Sequence, residues 1–68
     1  MKATLRLEGV TKGAVRYQEI DSNGNDLKMF DPNTLIGTQY LRQGKFKNLR
    51  DHSTGEWPQK IIVTVTTE

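Results

Sequence analysis

From Ala3 to Glu8 the chain alternates apolar and polar side chains (Ala3-Thr4-Leu5-Arg6-Leu7-Glu8), the period of a strand with one dry and one wet face. A second run, Gly13 to Ile20, sets Val15, Tyr17 and Ile20 among polar residues. Between the two, Thr11-Lys12-Gly13 reads as a three-residue hairpin loop with its glycine in the left-handed region. Placing Val10 opposite Ala14 sets Glu8 against Arg16 and Leu7 against Tyr17, a charge pair and an apolar pair on opposite faces. The same register sets Leu5 against Glu19. That mismatch predicts that the second strand twists out, bulges or ends near there.

Asp21-Ser22-Asn23-Gly24-Asn25-Asp26 is a reversal, with Asn23-Gly24 read as a type I′ pair. Leu27 to Phe30 then returns as a short third strand, stopped at Asp31-Pro32. From Asp31 to Gly44 two patterns compete. A helix would be capped by Asp31, start with Pro32 and share Ile36 and Tyr40 on one face. Gly37 and the threonines at 34 and 38 favour instead one helical turn near Pro32, then a strand from about Ile36 to Arg42. Residues 43 to 58 lack a period and form a long loop, for which Phe46, Leu49 and Trp57 are the candidate tethers. The closing run, Lys60 to Thr67, carries Ile61, Val63 and Val65 on one face and Ile62, Thr64 and Thr66 on the other. Its β-branched density predicts a central strand.

These elements make an all-β fold with at most one short helical turn. The expected form is an antiparallel meander of four or five strands curled into a small open barrel or sheet. It is read as one domain over residues 1–68, with the loop at about 43–58.

Composition narrows the chemistry. The 68 residues include no cysteine and a single histidine, His52, which leaves no disulfide, thiolate metal site or imidazole cluster. Asp21 to Asp26 fails as a calcium loop, because its glycine comes two residues early and Pro32 stands where the distant glutamate belongs. Ser22 and Ser53 sit in loop-like sequence, and although Ser53 follows His52, adjacency in sequence is no evidence of a dyad, so no catalytic, cofactor-binding or metal residue is assigned and the chain is read as a non-enzyme. No apolar run approaches the ~18–20 residues of a membrane span, and the N-terminus alternates where a signal peptide would carry an apolar core. A cytoplasmic protein without a membrane partner is expected.

Net charge is only +2, but it is unevenly spread. Glu19, Asp21, Asp26 and Asp31 cluster in one segment, while Arg42, Lys45, Lys47 and Arg50 share another that has no acid. A core this thin seldom supplies more than ~3–5 kcal/mol, which makes association attractive. The leading functional expectation is therefore a β module that binds a protein partner or its own copy, through a sheet edge or the long loop. Leu27 to Phe30 or the first strand is the expected edge, while Tyr40 and Trp57 are expected mostly in the core. The alternative is single-stranded DNA or RNA binding. Arg42, Lys45, Lys47 and Arg50 would track phosphates and Phe46 would stack on a base, with Arg6 extending the patch.

Overall fold

The computed structural model describes residues 1–28 and 30–67. It is an all-β fold, a four-stranded antiparallel sheet curled into a half-barrel. The strands are β1 (Lys2–Val10), β2 (Ala14–Ile20), β3 (Thr38–Arg42) and β4 (Lys60–Thr64), arranged in the order β3-β2-β1-β4. One 3-10 turn, Lys47–Leu49, lies in the segment between β3 and β4.

Alternation builds the core as expected. Register places Leu7 against Tyr17, Ala3 against Val63, Leu5 against Ile61 and Val15 against Leu41, so these residues line the inner face. Ala3, Leu5, Val15, Tyr17 and Leu41 are buried there, and Trp57 closes over them from the long loop. Each large aliphatic side chain removed from water in this way contributes ~1.5–3 kcal/mol. The Tyr17 hydroxyl keeps its hydrogen bond inside the core by donating to the Pro58 carbonyl at 2.9 Å. Burial pushes its phenol above the ordinary 10.0.

The first hairpin departs from expectation near its turn. Leu5 faces Glu19 and Leu7 faces Tyr17 as the register requires, but Gly9 faces Arg16 and Val10 faces Val15. Glu8 is the extra residue of a bulge, and Gly13 is not left-handed. The Thr11 side chain explains the difference. Its Oγ1 accepts the Ala14 amide at 3.2 Å while its own amide donates to the Ala14 carbonyl at 2.8 Å, closing a tighter loop and displacing one residue into β1. The Glu8–Arg16 ion pair survives across the bulge at 2.8 Å.

The second reversal has one left-handed residue where a type I′ pair needs two: Gly24 at φ 84°, with no positive φ at Asn23. Gly24 donates to Asp21 and Asp21 to Asn25, the pattern of a turn followed by a glycine bulge. The expected third strand is reduced to a bridge between Ile20 and Asp26, and Met29 of that segment lies outside the described residues. Leu27 is buried and is no edge. Between Asp31 and Gly37 there are turns where a helical turn was expected near Pro32, and the following strand starts at Thr38, two residues later than expected. Gly37 sets that limit, because its φ of 82° is incompatible with a strand.

The last strand differs most. It joins β1 at the margin of the sheet, so the topology is a three-strand meander with a fourth strand returning to the far side, and β4 is not central. Its β-branched residues are only half used by the core. Ile61 and Val63 pack inward, while Ile62 stays 66% exposed.

Candidate functional site

A half-barrel of four strands has two margins, β3 and β4, and their backbones are in different states. In an antiparallel pair alternate residues turn their N–H and C=O toward the neighbour or away from it. On β3 the outward residues are Thr38, Tyr40 and Arg42, because Gly37 and Gln43 bond back to Glu19 and Gly13. Two of the three outward carbonyls on this margin are taken by the chain itself. The Tyr40 carbonyl accepts Gln39 Nε2 at 3.3 Å, and the Arg42 carbonyl accepts the amides of Lys45 and Phe46 at 3.0 and 3.1 Å.

On β4 the inward set is fixed by Leu7 donating to the Gln59 carbonyl and Val65 donating to that of Met1, at 2.8 and 2.7 Å. Lys60, Ile62 and Thr64 therefore turn both backbone groups outward. Among the described residues none of these groups has a hydrogen-bond partner within the chain. Pro58, which has no N–H to offer, bounds this rail at its start. An apolar groove runs along the inner side of the same margin, lined by Leu41, Phe46, Leu49, Ile61 and Val63. The strand edge and the groove form one continuous surface.

The residues singled out in the sequence are dispersed around this surface. Arg42 sits on the outer face of β3, opposite Ala14. Lys45 lies in the turn that follows, and Lys47 starts the 3-10 helix. Phe46, 41% exposed, leans into the apolar groove. Arg50 donates through Nε to the Gly55 carbonyl at 2.8 Å and lines a different cavity, with Trp57 and Gln59. Arg6 is committed to Asp26, Nη2 to Oδ1 at 2.6 Å. Its guanidinium is held above its ordinary value by that hydrogen bond and by the charge of Asp26. Tyr40, expected in the core, is 58% exposed on the outer face, opposite Arg16. Even numbering on β3 places it on that face, since Leu41 takes the inward place.

Comparison with protein-family models, curated proteins and solved structures finds no match to this chain. Its function is therefore argued from its own surfaces. Among the described residues no group of three or more His, Cys, Asp or Glu side chains comes together.

The rail of Lys60, Ile62 and Thr64 was not among the residues singled out from sequence. The available signal was a β-branched run just after a proline, with an isoleucine on its wetter face, but strand order was needed to make it a margin.

Two carboxylates order the loops that frame the sheet. Glu19, 2% exposed, accepts the amides of Leu35, Ile36 and Gly37 at 3.0, 2.8 and 2.9 Å through Oε1. This explains how a glutamate can face Leu5 without a bulge. Beside it, Gln18 donates to the Leu27 carbonyl at 2.7 Å and accepts the Thr38 hydroxyl at 3.0 Å. In the long loop, Asp51 Oδ1 accepts the Ser53 hydroxyl and amide at 2.7 and 2.9 Å. The Ser53 hydroxyl bond, then the backbone bonds from Ser53 and Thr54, hold this carboxyl below its ordinary 3.8. A depressed carboxyl contributes stability above its unfolded value and loses it as pH falls through the folded one. The clasp is thus expected to be complete at neutral pH and to open only in acid below about 3.8, the unfolded reference. An NMR titration should show the Ser53 and Thr54 amides moving together there. Movement centred above that value would refute the clasp.

Proposed function

We propose that this protein is a non-enzymatic binding module that associates with other proteins by accepting an extended strand along the margin of β4. The observation that carries the reading is the contrast between the two margins. β3 is partly closed by its own chain, whereas Lys60, Ile62 and Thr64 keep their outward N–H and C=O groups beside an apolar groove. Main-chain bonds to a partner strand supply affinity in this mode, and alternate side chains entering the groove supply selectivity. Phe46 and Leu49 act as anchors on the groove wall. Nucleic-acid binding is less well supported, because Arg6 is paired with Asp26, Arg50 is turned toward Gly55 and Phe46 faces the groove.

The test is an NMR titration with two probes, a capped peptide of alternating valine and threonine and a twenty-nucleotide oligothymidine at low salt. The peptide is expected to shift the Lys60, Ile62 and Thr64 amides. Ile62→Pro should abolish the effect without unfolding the protein, because its outward amide makes no bond to β1. A peptide that leaves β4 unmoved refutes the proposal. Salt-sensitive shifts at Arg42, Lys45, Phe46 and Lys47 with oligothymidine would establish the nucleic-acid function instead.

A further inference from the structure

We infer that the strand accepted by β4 is β4 of a second copy of this chain, paired antiparallel about a two-fold axis at Ile62 to make one continuous eight-stranded sheet. This rests on the binding role of the β4 margin and names its occupant. An antiparallel partner must set outward residues opposite outward residues, so Lys60, Ile62 and Thr64 can face only one another or an outward residue beyond the strand. Among these registers, only the one centred on Ile62 overlaps all five residues of Lys60–Thr64.

That register is also favourable in its side chains. On the outer face Ile62, 66% exposed, meets Ile62 of the second copy, which gives an exposed apolar residue a partner. Lys60 falls opposite Thr64 of the second copy, so the only charges on the strand do not face each other. Centring on Lys60 would oppose two ammonium groups and bring Pro58 toward the ladder. On the inner face Ile61 meets Val63 of the second copy and Val63 meets its Ile61. The two apolar grooves, each lined by Leu41, Phe46 and Leu49, then become continuous across the axis.

Sedimentation equilibrium from about 5 to 500 µM tests the occupant, the range expected for a small interface of the weak class. The mass should rise from 7.8 kDa toward twice that value. Ile62→Lys, which opposes two like charges at the axis, and Ile62→Pro should both hold the protein monomeric, with unchanged circular dichroism. The chain has no cysteine, so the register can be read by cross-linking. In a hydrogen-bonded antiparallel pair the Cα atoms lie ~5.5 Å apart, within disulfide range. With diamide as oxidant, Ile62→Cys should form a covalent dimer at least ten times faster than Lys60→Cys, whose counterpart is a threonine. A monomer across the whole range, or faster cross-linking of Lys60→Cys, overturns the inference. If the protein stays monomeric while the valine-threonine peptide still moves the β4 amides, the binding role stands and only the second copy is excluded. If neither occurs, both fail.

Discussion

Replacing Glu19 with leucine is expected to bring the protein to the point of unfolding. The leucine fills much of the same space but accepts nothing, and it strands the amides of Leu35, Ile36 and Gly37, which now converge on one carboxylate oxygen. The Gly37 amide is buried and those of Leu35 and Ile36 are part-buried; a buried donor left without a partner costs ~1–3 kcal/mol and a part-buried one less, so the loss should reach ~2–4 kcal/mol. A chain of this length has only ~3–10 kcal/mol in total. Glu19→Gln separates charge from geometry. Its amide oxygen can take the place of Oε1, but its NH2 then faces the Leu35 amide where Oε2 now accepts at 3.3 Å. The milder variant should lose ~1–2 kcal/mol, about the difference between charge-assisted and neutral bonds. Urea unfolding followed by the fluorescence of the single tryptophan reads both. A Glu19→Leu protein as stable as the parent would show that the 35–37 segment has another source of order.

Trp57→Ala is expected to cost ~3–5 kcal/mol, the range for removing a large buried aromatic. Trp57 is 7% exposed and is the long loop's one member of the buried core. Tyr17 fixes the adjacent carbonyl at Pro58, and Gln59 begins the ladder to β1. Losing the indole therefore opens a cavity beneath the loop and loosens the entry to β4. Circular dichroism should record the destabilisation. Amide exchange at Asp51 and Gly55, which close the turn over residues 51–56, should accelerate with it. Phe46→Ala, at a residue 41% exposed, should cost less than ~1 kcal/mol in stability and act on association through the groove. If the two substitutions cost the same, the loop is not pinned as described.

The comparison of these two aromatics shows how far sequence reading reaches. Phe46, Leu49 and Trp57 are all candidate tethers by sequence, and Trp57, expected in the core, is buried there. Only Trp57 joined the buried core with Tyr17 and Leu41, while Phe46 and Leu49 stay at the rim of the groove, 41% and 44% exposed. Tyr40 went the other way. Its large aromatic side chain suggested burial, but the parity set by Leu41 turned it outward. For the proposed edge, the residue types were visible as Ile62 between Lys60 and Thr64, while their freedom to bond was not. That freedom depends on which strand lies at the margin.

The Glu8–Arg16 contact persists only across a bulge, with Gly9 opposite Arg16. Period-two alternation was sufficient to establish an all-β chain, the pairing of its first two strands and the inward set Leu5, Leu7, Val15 and Tyr17. All of these follow from the pleat and from contacts over a few residues. The three-dimensional arrangement decided the strand order, the bulge at Glu8, the cradle of amides around Glu19 and the open margin of β4. Those features join segments such as Glu19 with Ile36 or Ala3 with Val63, which the chain brings together only when the sheet closes. A strand's pattern says which of its faces is dry, but it does not say which strand will lie beside it.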